Sequence, residues 1–235
     1  AAGAALDSLA ARCGLLATTA LTIAGPVRLW LQARGLVESG DPVLPMALNV
    51  LDTTWGYAWL AQFAAALAGC AAFARARASR SAPREAARAG AARPPAWNVA
   101  LAATLIAAFS PAFMGHAVAS PWNWWLSVAA DGVHVLCAGA WTGTLLVIAM
   151  ASRDGREQPD RGHIIGELVA AFHPIALWST AILLGTGVFA VMLRVEHLVA
   201  LIGSDYGAAL FVKLGLAATV AAFGAFHSRT AARRA

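Results

Sequence analysis

The stretch NWWLSVAADGVHVLCAGAWTGTLLVIAMA, residues 123–151, decides the fold, because it is long and apolar and still carries an aspartate and a histidine. A helix needs roughly 20 apolar residues to cross the hydrocarbon of a bilayer, and this stretch exceeds that length. Ionisable side chains in such a helix are costly when they face lipid, so Asp131 and His134 are expected to point towards other helices. The stretch therefore predicts one membrane helix of a bundle.

The rest of the chain has the same character. Of its 235 residues, 60% are apolar and only 12% are charged, and the mean hydropathy is +0.65. Further apolar stretches of spanning length lie at about 9–33, 54–76, 96–116, 165–193 and 206–227. We therefore predict an all-α, polytopic membrane helix bundle with about six transmembrane helices.

Arginines and acids occupy alternate loops between these stretches. Short loops rich in arginine remain in the cytoplasm, so both termini are predicted to be cytoplasmic and the protein to be a multi-pass component of the bacterial inner (cytoplasmic) membrane. The net charge of +5 follows this topology. Membrane lipids are therefore the expected partners, and nucleic acid is not.

One loop divides the chain by composition. The sequence ARARASRSAPREAARAGAARPP is rich in alanine, arginine and proline, which is typical of a solvated linker. The predicted organisation is a first transmembrane hairpin at 1–76, a cytoplasmic linker at 77–95 and a four-helix membrane domain at 96–235.

Polar side chains follow one face of the helix predicted at 123–151. At 100° per residue Asp131, His134 and Trp141 share a stripe, and Cys137 lies at its margin. At ~1.5 Å per residue, His134 lies ~16 Å below the outer end of its helix, and His173 lies ~12 Å above the inner end of the next one. In a core ~30 Å thick these depths nearly coincide, so the two imidazoles are expected to meet.

Two cations lie near the outer ends of the last helices. Lys213 is at the predicted depth of Asp131, and a salt bridge would lower the cost of burying both charges. Alternatively, its ammonium group extends to the outer headgroups, as long cationic side chains do. Arg194 lies at the outer interface, where an arginine needs no special partner.

Methionine and histidine are concentrated at the outer side. The sequence FMGHAVAS supplies Met114 and His116, and other outer ends supply Met46, Met192 and His197. Thioether and imidazole groups suit Cu(I), as would the thiol of Cys137, so these residues are candidate metal ligands. Methionine is also a common apolar filler at helix ends, which is the alternative interpretation.

Signatures of soluble enzymes are absent from the sequence. It contains no GxSxG, no Walker lysine loop, no GxGxxG after a strand and no HExxH. We therefore expect neither a hydrolase nor a nucleotide-driven pump, and we predict that the protein is not an enzyme.

Several short motifs in fixed order resemble the copper resistance protein D (CopD) family of bacterial inner-membrane proteins. They are GHA at 115–117, DGVHVLCAGAWTGTL at 131–145, and the run LLGTGVFAVMLRVEHLVALIGSDYGAALFVKLGLA. The resemblance covers about 100–230, and DTTWGYAWLAQ extends it loosely to the first two helices. It implies copper uptake across the inner membrane, or delivery of copper to a periplasmic copper protein.

The resemblance also carries over individual residues. His116 and His134 become the leading copper ligands, while Asp131, Trp141, Arg194 and Lys213 match the family pattern without an assigned role. His173 departs from that pattern, and six spans are fewer than the roughly eight of longer members. The resemblance therefore allows for a role within a larger membrane complex.

Two other functions remain open from the sequence. Level histidines on adjacent antiparallel helices can provide the axial ligands of a b-type haem, so His134 and His173 would also suit an electron-transfer subunit. Alternatively, the helices form an accessory subunit that only scaffolds a membrane complex.

Overall fold

A computed structural model describes residues 2–78, 95–115, 117–118, 123–154, 161–194, 203–204, 207–212 and 214–219. All of its regular elements in these ranges are helical, and residues 207–212 and 214–219 are helical as well. The named helices are α1 (Ala2–Arg34), α2 (Val43–Leu51), α3 (Thr54–Ala78), α4 (Pro95–Phe113), α5 (Trp124–Asp154) and α6 (Arg161–Arg194). The linker predicted at 77–95 falls almost entirely outside the described residues.

The predicted polytopic helix bundle is confirmed. Five described helices are long and apolar enough to cross a membrane: Leu6–Arg34, Thr54–Ala78, Pro95–Phe113, Trp124–Arg153 and Ile165–Leu193. The last predicted span corresponds to a shorter apolar helix, Gly207–Thr219. By its internal contacts the chain divides into two compact units, Ala1–Val188 and Phe189–Ala235.

Helix α3 is the centre of the first unit, where it packs against α1, α2 and α4. Its buried side chains are mostly small, and Gly69 lies directly against Thr18 of α1. Small residues let helix backbones approach closely, which is how membrane helices gain packing contacts where lipid is as apolar as leucine. The alanine-rich composition of this region therefore serves helix–helix packing.

The contact between α4 and α5 also depends on a glycine. The ring of Phe109 occupies the space where a Cβ atom of Gly132 would lie. Towards the outer end, Ala112, Ala117 and Val128 form a small buried cluster. The face of α5 that carries Gly132 is thus covered by α4.

The arginine-bearing helix ends gather at one end of this unit. Arg75 and Arg77 lie in the last turn of α3, and Arg153 lies in the last turn of α5. The end of α3 packs against the beginning of α1, where Ala11 contacts the cluster that contains Phe73. By the distribution of cations this is the cytoplasmic end of the bundle.

A polar network crosses the apolar interior between α1, α3 and α4. Gln62 is only 8% exposed, and its amide Nε2 donates to the carbonyl oxygen of Ala107 at 3.2 Å. Pro111 lies one turn after Ala107 and has no N–H to give to that carbonyl. The Gln62 oxygen accepts a bond from Arg28 Nη1 at 3.3 Å, and the Arg28 guanidinium lies 5.6 Å from the centre of the Trp55 ring.

Helix α2 forms a tight corner with α3, which the sequence analysis did not predict. Thr53 Oγ1 accepts the backbone N–H of Gly56 at 3.2 Å, and so caps the first turn of α3. A Cβ atom on Gly56 would collide with the backbone of Val50 and Leu51. In the second unit Ser204 Oγ caps Gly207 in the same way, at 3.1 Å.

Candidate functional site

His134 lies within the spanning part of α5 and is partly buried. Its Nδ1 atom is 2.8 Å from the hydroxyl oxygen of Thr186 on α6. The Thr186 hydroxyl donates its own hydrogen to the carbonyl of Ile182 at 2.7 Å. With its hydrogen directed to this carbonyl, the Thr186 hydroxyl accepts from His134 in the tautomer that carries its proton on Nδ1, and in the other tautomer the hydroxyl donates to Nδ1.

This hydrogen bond is of the kind that orients histidines in metal sites. A ligating histidine usually donates its second ring nitrogen to a nearby oxygen, which sets both the tautomer and the direction of the ring. Thr186 is held by its own helix, because its hydroxyl bonds the backbone one turn earlier. The contact with Thr186 thus orients the imidazole of His134 from α6.

The other predicted residues of α5 lie along the same part of the helix. Asp131 lies one turn before His134 and Cys137 one turn after it, and both are partly buried. Cys137 is a free thiol. Trp141 packs its ring against Phe172 of α6, with ring centroids 6.4 Å apart.

The structure does not bring His134 and His173 together. Thr186, the partner of His134, lies nearly four turns along α6 from His173, or about 20 Å. His173 adjoins Phe172, whose partner Trp141 is two turns below His134, or about 10 Å along α5. His173 is also exposed. The expectation that the imidazoles meet is therefore wrong, because the helix register differs from the one inferred from depth.

The remaining predicted residues are Met114, His116, Arg194 and Lys213. Met114 follows the end of α4, is partly buried, and donates its backbone N–H to the Pro111 carbonyl at 3.1 Å. His116 and Lys213 lie outside the described residues, and Arg194 is described only as the last residue of α6. Within the described part of the chain, no three His, Cys, Asp or Glu side chains form a group able to hold a metal ion.

Two polar residues near the site were missed in the sequence analysis. Thr186 could not be found from the sequence, because its role depends on the register of α5 against α6. Ser127 lies one turn before Asp131 on the same stripe, and that spacing could have identified it. Ser127 is 5% exposed, and its hydroxyl has no hydrogen-bond partner among the residues that the structure describes.

Comparison with known proteins shows a similarity to one family and to one curated relative. The sequence profile of the family Copper resistance protein D (CopD) matches residues 166–235. A curated relative, the copper transport protein CutJ of Bacillus subtilis (strain 168), is 28% identical over 116 residues. That alignment covers 49% of this chain and 21% of CutJ, so the chain spans about a fifth of the length of this relative. No solved structure matches the chain.

The family profile covers the last of the motifs quoted from the sequence, and the described helices agree with a protein that crosses the membrane several times. The chain is a multi-pass inner-membrane protein, and its residues 166–235 are similar to the copper resistance protein D family.

Proposed function

We propose that the chain transports copper across the inner membrane and that a site centred on His134 binds the ion in transit. The observation that carries the proposal is the 2.8 Å hydrogen bond between His134 Nδ1 and Thr186 Oγ1. It orients an imidazole inside a membrane helix, where an ionisable side chain is costly and usually serves a function.

The chemistry of the neighbouring residues supports copper as the cargo. Cys137, one turn from His134, offers a thiol, and Met114 at the end of α4 offers a thioether. Copper binds imidazole, thiol and thioether groups well, whereas hard cations bind these groups poorly. In this proposal Met114 and His116 capture copper at the outer end, and His134 with Cys137 receives it within the membrane.

The proposal is of a transporter that works with other copper-handling proteins and not of an enzyme. CutJ is named a copper transport protein, and the family is named for copper resistance. A periplasmic copper protein that delivers or receives the ion at the outer end is the expected partner. A b-type haem would require two histidines at the same depth in the membrane. The register of α5 and α6 does not favour this arrangement for His134 and His173.

Copper binding to the purified full chain tests the proposal. We expect His134→Ala to lose about one equivalent of Cu(I) in an anaerobic titration against a chromophoric chelator, because a ligand is removed. His173→Ala is the matched control, since this histidine is exposed on the adjacent helix. In cells, copper accumulation should fall to the level of cells without the protein for His134→Ala only. Equal copper binding by both variants and the wild type would refute the proposal.

Replacing Thr186 separates the orienting contact from the ligand itself. Thr186→Val removes the hydrogen-bond partner of His134 Nδ1 and keeps the shape of the side chain, so we expect the affinity for copper to fall by about 10- to 100-fold. Thr186→Ser keeps the hydroxyl and should bind nearly as tightly as the wild type. If Thr186→Val leaves the dissociation constant unchanged, the hydrogen bond does not position the ligand.

A further inference from the structure

Two sulfur atoms meet between α1 and α5, far from the site around His134. The thiol of Cys13 donates to the thioether sulfur of Met150 at 3.2 Å. Cys13 is only 8% exposed, and Met150 is partly buried. Neither residue was singled out as a metal ligand from the sequence, because they are far apart along the chain.

This sulfur pair lies at the cytoplasmic end of the bundle. Met150 is one turn before Arg153 in the last turns of α5, and Cys13 is in the first half of α1. The neighbouring end of α3 carries Arg75 and Arg77. The cytoplasm keeps thiols reduced, so a cysteine at this end is a thiol or thiolate.

We infer that Cys13 and Met150 form a Cu(I) site at the cytoplasmic end, from which the ion leaves the protein. The role as an exit rests on the proposed function, whereas the binding of Cu(I) does not. A thiolate and a thioether are both soft ligands, and this pairing selects Cu(I) over Mg²⁺ and Ca²⁺, which bind oxygen.

The electrostatics of the site favour a monovalent ion. On binding, the Cys13 S–H bond breaks, a sulfur–copper bond forms and the proton passes to water, so the Cu(I)–thiolate unit has no net charge. A neutral unit avoids the desolvation cost that an isolated buried ion would carry. The divalent cations would leave a net positive charge beside the arginines of this end.

The geometry needs only a small adjustment. With metal–sulfur bonds of about 2.3 Å, the two sulfur atoms must separate from 3.2 Å to about 4 Å around a three-coordinate ion. The side chain of Met150 has enough rotatable bonds to allow this movement of its sulfur atom. Because the described residues supply two sulfur ligands here, a cytoplasmic thiol can occupy the third position and withdraw the ion by ligand exchange.

Cys70 provides the natural comparison within the same bundle. Its thiol lies 3.3 Å from the hydroxyl oxygen of Thr18, and the hydroxyls of Thr19 and Thr22 lie at 3.7 and 3.8 Å. These oxygens are hard ligands and suit hydrogen bonding between helices better than copper binding. Cys70 is thus, like Cys13, a free thiol between helices of the bundle, but its neighbours among the described residues are hydroxyl groups and not a second sulfur atom.

The test uses the full chain carrying Met114→Leu, His116→Ala, His134→Ala and Cys137→Ser, so that the copper ligands named in the proposed function do not contribute. Reduced protein is titrated with Cu(I) under anaerobic conditions in competition with bathocuproine disulfonate. In this background we expect about one equivalent of Cu(I). Adding Cys13→Ser should weaken its binding by at least about a hundredfold, and adding Met150→Leu by about tenfold. Adding Cys70→Ser should leave it unchanged.

Copper X-ray absorption on the same samples identifies the ligands. The background protein should show sulfur neighbours of copper that are lost with Cys13→Ser. Retention of the full Cu(I) affinity in Cys13→Ser, or no Cu(I) bound by the background protein, overturns this inference. Neither result bears on the proposed function, which is decided by His134→Ala in the otherwise unchanged chain.

Discussion

Gly56→Ala is expected to lower the free energy of unfolding by about 3 kcal/mol, because it forces a methyl group into backbone atoms. The added Cβ would collide with the Val50 carbonyl and with Leu51. A flexible side chain could move aside, but here the obstacle is the end of α2 itself. The α2–α3 corner must therefore open, and the Thr53 cap on the first turn of α3 is lost with it.

Gly139→Ala is the matched control for this prediction. A Cβ atom at Gly139 meets nothing within 4 Å, so alanine should leave stability unchanged or raise it by up to about 1 kcal/mol through helix propensity. Both variants are measured by denaturant titration of the purified protein in bicelles, followed by tryptophan fluorescence. A Gly56→Ala protein as stable as the wild type would contradict the close approach of α2 to α3.

Gln62→Leu is expected to cost about 3 kcal/mol, because it leaves two buried polar groups without their partner. The Ala107 carbonyl loses the Gln62 amide that donates to it, and the Arg28 guanidinium loses the Gln62 oxygen. Leucine has a similar size, so packing changes little. The same unfolding titration in bicelles measures the loss.

A second substitution identifies the cause of that loss. Pro111→Ala restores a backbone N–H that can bond the Ala107 carbonyl within α4. In the Pro111→Ala background, Gln62→Leu should therefore cost about 1 kcal/mol less than in the wild type. Equal costs in the two backgrounds would mean that the proline does not create the need for Gln62.

The positions of the five long helices were predictable because each span is a local property. A continuous apolar run must form a helix to satisfy its backbone in lipid, whatever its neighbours are. The predicted stretch at 54–76 became Thr54–Ala78, and the stretch at 165–193 lies within Arg161–Arg194. The sequence analysis did not predict helix α2. Its nine residues are too few to span a membrane, and they are more apolar than is typical of a loop.

The candidate site was predicted only in part. The stripe that holds Asp131 and His134 follows from helical periodicity, and both residues are partly buried on α5 as expected. The predicted partner of His134 was wrong, because the depth of a residue along each of two helices does not determine the axial register between them. Few residues of α6 are buried, so only a side-chain contact such as that with Thr186 reveals the register.

The sequence by itself determined the class of the protein, five of its spans and the residues that resist burial, since each follows from the free energy of placing side chains in lipid. Only the tertiary structure decided which polar groups meet: Thr186 with His134, Gln62 with the carbonyl freed by Pro111, and Cys13 with Met150. These contacts join helices that are distant along the chain. Their geometry depends on packing between small residues, which composition does not specify.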